Sequence, residues 1–203
     1  IIQVNDDGEN AIIIHGGANR TISEAQIEAT LAHFEKGDFV ILQNEINNIA
    51  PTITKANEKE MTIFFNPAPM TTAVHDYPLN LVDYFIVNET EGQQLTGEKD
   101  IKSIIHKMKT TYPNAGIIMT LGKKGVIYTK ADVWIEQPAF EVDVVDTTGA
   151  GDTFIGYFVA NLSQEKTIES ALKIASRAAS ITVTRKGGAV SIPTFRNIDG
   201  LTL

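Results

Sequence analysis

A glycine-rich turn, Asp146-Thr147-Thr148-Gly149-Ala150-Gly151-Asp152-Thr153, runs straight into an apolar, helix-patterned segment with a carboxylate at the junction. These residue types suit phosphate chemistry. Gly149 and Gly151 allow a sharp turn and let backbone N–H groups approach a ligand closely. A helix predicted from Thr153 to about Leu162 aims its positive end at the same point. Gly149, Ala150 and Gly151 would cradle a transferring phosphoryl group through their amides, and Asp152 would orient an attacking hydroxyl and take its proton. An aspartate after a glycine is also a common helix N-cap, and the turn alone leaves both readings open.

Other polar residues fall where chemistry is possible. Asn88 and Glu91 stand three apart at a helix start just past a strand, hence on one face. An amide there can bond phosphate oxygens and a carboxylate can hold Mg²⁺ directly or through its waters, yet both are also ordinary helix-start residues. Thr120 and Gly122 lie at a strand end and turn. A hydroxyl and bare backbone there can meet a phosphate or ribose, or simply close a hairpin. Glu45 follows a strand end, where such a residue is commonly just solvated. His15, His33, His75 and His106 share no metal spacing.

The elements that must position these residues are legible as alternating strands and helices. Ile1–Val4 and Ala11–His15 flank the turn signal Asn5-Asp6-Asp7-Gly8 and predict a hairpin. Ser23 followed by Gln26 is a capping-box pattern for a helix to about Lys36, ended by Gly37-Asp38. Strands are predicted at Phe39–Gln43, Thr62–Phe65, Tyr84–Val87, Gly116–Thr120 and Gly125–Tyr128, with Trp134-Ile135 and Phe140–Val144 extending an antiparallel section. Helices are predicted to about Lys59 with Pro51 in the first turn, from Asn88 to Gly97, over Ile101–Tyr112, and over Ile168–Val183. This order predicts an α/β fold with a mostly parallel sheet covered on both faces.

Composition narrows the function classes. The 203 residues can bury one substantial core, and the absence of cysteine excludes disulfides, Cys-ligated zinc and a thiol nucleophile. A net charge of −8, with basic pairs only at Lys123-Lys124 and Arg185-Lys186, argues against nucleic acid as a partner. No apolar run approaches the roughly 20 residues of a membrane span, and the expectation is a cytoplasmic protein with no membrane partner.

The Asp146–Thr153 run resembles the C-terminal signature of the ribokinase-like sugar kinases, the PfkB family. Asn88-Glu89-Thr90-Glu91 is similar to the family's N-x-x-E motif, Thr120-Leu121-Gly122-Lys123-Lys124-Gly125 to its T-x-G turn, and Thr184-Arg185-Lys186-Gly187-Gly188-Ala189 to the loop closing its nucleotide and cation sites. Asn66-Pro67-Ala68-Pro69 places the likeness nearest the ribokinase branch. The resemblance implies a three-layer α/β sandwich and transfer of the ATP γ-phosphate to a primary hydroxyl, D-ribose first, with fructose, a deoxyribose-type sugar or a nucleoside as alternatives. It places the base at Asp152, the anion hole at Gly149, Ala150 and Gly151, nucleotide contacts at Asn88, Thr120, Gly122, Gly151 and Ser176, and sugar contacts at Glu45 and Asp152. Mg²⁺ falls to Glu91, and an activating K⁺ to Asp146, Thr148, Thr182, Arg185, Gly187 and Ser191. Ser176 departs from the larger polar side chain common there. The family's N-terminal glycine-rich sugar motif has no counterpart, so the expected organisation is a lid-hairpin remnant at 1–15 and a kinase core with nucleotide site at 16–203. On this view the chain is a C-terminal portion of a kinase that dimerises through its lids, or a nucleotide-binding module without catalysis.

Overall fold

The computed structural model describes residues 2–4, 10–12 and 15–199. Strands β1 (Ile2–Val4) and β2 (Asn10–Ile12) pair antiparallel with Ile2 opposite Ile12, which bears out the hairpin. Its turn at 5–9 lies outside the described residues, and His15 stands beyond the strand.

The main sheet has six strands in the order β3 (Phe39–Gln43), β4 (Thr62–Asn66), β5 (Tyr84–Asn88), β6 (Gly116–Thr120), β7 (Val126–Lys130) and β8 (Val133–Gln137). The first four run parallel and the last two join antiparallel. A strand buried on both faces reads as a continuous apolar run, and Ile63–Phe65, Phe85–Val87 and Ile117–Met119 are such runs.

Alternation along these strands sorts the side chains into two cores. Phe65, Phe85, Val87, Ile117 and Met119 face α1 (Glu24–Leu31), α2 (Ile49–Glu58), α3 (Glu89–Thr96) and α4 (Ile101–Thr111). Phe64, Ile86, Ile118 and Tyr128 face α5 (Ala150–Leu162) and α6 (Ile168–Thr182). The result is the expected three-layer sandwich, closed by a short α7 (Phe195–Asp199).

Three local expectations are corrected. Helix α1 has its capping box, Ser23 Oγ accepting from Gln26 N and Gln26 Oε1 from Ser23 N, but stops at Leu31 rather than near Lys36. Ile27 and Leu31 are its core anchors, Phe34 beyond them is largely exposed, and the amides of His33 and Phe34 bond back only three residues. Phe140–Val144 is not a strand. After Pro138 the chain leaves the β8 edge for the end of α6, where the amides of Val145 and Asp146 donate to the Val183 carbonyl, so no ladder is available to it. Helix α5 begins at Ala150, not Thr153: Gly149 takes φ +76° as its N-cap, a conformation glycine adopts without strain.

Candidate active site

Parallel strands deliver their carboxyl ends to one edge of the sheet, and in this fold the strand-end polar residues meet there. Gln43 of β3 is in register with Asn66 of β4, and Asn88 of β5 with Thr120 of β6. Asn88 caps α3: its Oδ1 accepts from Glu91 N at 2.8 Å, while Glu91 returns Oε2 to Asn88 N at 2.9 Å and Oε1 to Asn88 Nδ2 at 2.8 Å. Asn66 Nδ2 adds a third bond to this carboxylate at 3.2 Å. Half-burial nevertheless dominates, and loss of water pushes the Glu91 pKa up despite the hydrogen bonds that oppose it.

From Asn66 the network continues outward. Gln43 Nε2 donates to Asn66 Oδ1 at 3.2 Å and to Asp152 Oδ1 at 3.2 Å, across 109 residues of sequence. Asp152 is exposed in the first turn of α5, its backbone already helical, so it is not the N-cap. Gln43, Glu45, Ile46, Asp152 and Ile155 line a cleft of about 370 Å³ between β3 and α5. A second cleft, about 340 Å³ along α4 at Lys102 and His106, contains none of the predicted residues.

The turn before α5 carries the donors. Among the described residues the amides of Gly149, Gly151 and Asp152 have no protein acceptor, whereas Ala150 N points to Thr147 O at 3.2 Å. Of the expected Gly149, Ala150 and Gly151, the first and last amides are unpaired, and that of Asp152 joins them. Three unpaired N–H groups thus stand at the start of a thirteen-residue helix, an arrangement suited to an anion.

The neighbouring loop is locked to this turn. Asp146 Oδ2 accepts from Gly187 N at 3.0 Å and Oδ1 from Thr148 N at 2.9 Å. These backbone bonds lower the Asp146 pKa to about 2, keeping it ionised. Gly187 sits at φ +99°. A Cβ on Gly149 would lie 3.7 Å from the Gly188 Cα, so the two glycine turns abut. The Thr182 carbonyl accepts from Arg185 N, and buried Ser191 donates through Oγ to Gly188 O at 2.7 Å. These bonds bring the Asp146 carboxylate and the 182–191 loop together, and carboxylate, hydroxyl and carbonyl oxygens are the donor types a monovalent cation takes.

Thr120 reaches back to the Val87 carbonyl at 3.4 Å, and Gly122 at φ +54° opens the turn after it. Both share the sheet edge with Asn88. Ser176 lies half-buried in the middle of α6, with no side-chain hydrogen bond to the other predicted residues among those described. Glu45 is exposed on the cleft. No group of three or more His, Cys, Asp or Glu converges on one point among the described residues. Glu91 is accordingly a single carboxylate with both oxygens already bonded, which fits Mg²⁺ held chiefly by waters and phosphate oxygens. Sequence reasoning missed the linking of Gln43 and Asn66 to Asp152. Its available signal was a pair of strand-end amides on neighbouring strands.

Unpaired amides and an exposed carboxylate thus lie at the carboxyl edge of a mostly parallel sheet in an α/β sandwich. The chain belongs to the pfkB family of carbohydrate kinases, whose profile matches residues 1–195. It is 35% identical over 200 residues to the ribokinase of Haemophilus influenzae, covering 95% of this chain and 65% of that one. It is 32% identical over 204 residues to a deoxyribokinase of Salmonella typhi, covering 98% and 67%. The structure of an Arabidopsis thaliana ribokinase complexed with ribose and ATP superposes with a TM-score of 0.85 at 28% identity, covering 97% of this chain and 66% of that one. The chain spans about two thirds of the length of these relatives. No described helix is long and apolar enough to cross a membrane.

Proposed function

We propose that the chain carries the phosphoryl-transfer site of an ATP-dependent sugar kinase acting on the primary hydroxyl of D-ribose. The observation that carries this reading is Asp152, exposed on a cleft, bearing one of the three unpaired amides that precede and open α5 and adjacent to a second, that of Gly151. A hydroxyl held by Asp152 attacks the γ-phosphorus. The new O–P bond forms as the bond to the β–γ bridging oxygen breaks, ADP leaves, and the hydroxyl proton passes to Asp152. The amides of Gly149, Gly151 and Asp152 receive the charge that builds on the transferring group.

Asn88, Thr120 and Gly122 hold the nucleotide along the sheet edge, Ser176 approaches its base, and Glu45 contacts the sugar. Glu91 would hold Mg²⁺, which would supply positive charge to the phosphates. Asp146, Thr148, Thr182, Arg185, Gly187 and Ser191 would hold K⁺, which would favour the paired arrangement of the two glycine turns. D-Ribose is favoured because the ribokinases are among the most similar relatives; the deoxyribokinase likeness keeps a deoxy sugar as the alternative acceptor. Asp152→Asn should abolish sugar-dependent ADP release while ATP binding persists, and turnover at the wild-type rate would refute the base.

One observation favours a second reading for the chain by itself, a nucleotide-binding module without transfer. The acceptor side of the cleft is open at β3, where Ile41 is 45% exposed. Calorimetry separates the two: binding of an ATP analogue without ribose binding supports the module, and ribose binding of ordinary affinity removes it.

A further inference from the structure

Gln43 has no role in the reading above, yet its geometry is tightly determined. The Ile86 carbonyl can only accept, and it takes a bond from Asn66 at 2.7 Å. Asn66 must therefore turn its NH₂ inward, toward Ile86 O and the Glu91 carboxylate, and its Oδ1 toward Gln43. Gln43 in turn must present NH₂ to that oxygen, and its second hydrogen reaches Asp152 Oδ1. Each amide in the relay has one orientation, set by a backbone carbonyl at its inner end.

We infer that Gln43 is a positioning residue that holds Asp152 by Oδ1, leaving Oδ2 for the substrate hydroxyl, and ties this carboxylate through Asn66 to Glu91. The inference rests on Asp152 being the base. Asp152 is otherwise an exposed side chain on the first turn of a helix, with no other side-chain partner among the described residues, and would sample several rotamers. One bond from a half-buried amide anchored to the sheet selects a single rotamer. Gln43 and Asp152 both line the 370 Å³ cleft, and Gln43 Oε1 has no hydrogen-bond partner among the described residues, so it is open to a hydroxyl of the acceptor.

Side-chain amide spectra and kinetics test this together. In ¹H–¹⁵N spectra of the chain, Asp152→Ala should move the NH₂ resonances of Gln43 and of Asn66, and the Asn66 response should vanish when Gln43 is replaced by the similarly shaped Met. Asn66 resonances indifferent to Asp152→Ala would overturn the relay, whether or not the chain turns over. In sugar-dependent ADP release, Gln43→Met should lower kcat about tenfold, the loss of one hydrogen bond to a charged group, with KM for ATP within about twofold. Wild-type kcat in Gln43→Met, with Asp152→Asn inactive, defeats the positioning role alone. Full activity of Asp152→Asn defeats the base assignment and the inference with it.

Discussion

Glu91 and Asp152 are carboxylates at opposite ends of one hydrogen-bonded relay, and they are built in opposite ways. Glu91 is half-buried behind the strand ends and accepts three bonds, two of them from its own capping box. Asp152 stands exposed on a turn and accepts one side-chain bond, from Gln43. The carboxylate held in a capping box has both oxygens bonded, whereas the one that follows a glycine turn keeps lone pairs for an incoming group. On the proposed reading the sheet edge is scaffold and the turn is the reacting part.

The largest expected effect separates activity from stability at Asp152. Asp152→Asn should lower turnover about 10³-fold, as removal of a general base does. Its unfolding free energy should shift by less than about 0.5 kcal/mol, because the site is exposed. Urea denaturation beside the ADP-release assay reads both. Next comes Glu91→Ala, where the comparison reverses. Loss of the capping partner, together with the unpaired Asn66 and Asn88 amides, should destabilise the fold by about 2 kcal/mol. Destabilisation equal to that of Asp152→Asn would erase the distinction between the two sites.

The smallest effect lies in the acid range, where Asp146 and Glu91 act with opposite sign. Asp146 has a folded pKa of about 2 against an ordinary 3.8, so it adds stability above pH 4 that is lost as pH falls toward 2. Asp146→Asn should flatten that loss in thermal melts. Glu91 has a raised folded pKa, so the folded state favours its protonated form and stability declines as pH rises from its ordinary 4.5 toward the raised value. Glu91→Gln should remove that decline, and a decline that persists would show that the carboxyl is not the group titrating.

Much of this was legible in the chain because it is encoded locally. The apolar runs at Ile63–Phe65, Phe85–Val87 and Ile117–Met119 specify doubly covered parallel strands, and Ser23/Gln26 and Asn88/Glu91 specify helix starts. The start of α5 was misplaced by three residues because glycines carry no helix preference, and only the φ +76° of Gly149 fixes the first turn. Phe140–Val144 has strand-like composition, but strand formation needs a partner edge and the chain turns away from one. The coupling of Gln43, Asn66 and Asp152 depends on strand register and on packing of α5 across the sheet, neither of which is a local property. The tie between Asp146 and the 182–191 loop likewise exists only through the bond from Gly187, which is far from Asp146 in sequence.

On the proposed reading the amides opening α5 receive the phosphate to be transferred. Backbone ¹H–¹⁵N mapping with a non-hydrolysable ATP analogue and Mg²⁺ tests it most directly. The largest shifts are expected at Gly149, Gly151 and Asp152, with smaller ones at Asn88, Thr120 and Gly122. Largest shifts along the α4 cleft at Lys102 and His106, with the glycine turn unmoved, would contradict it.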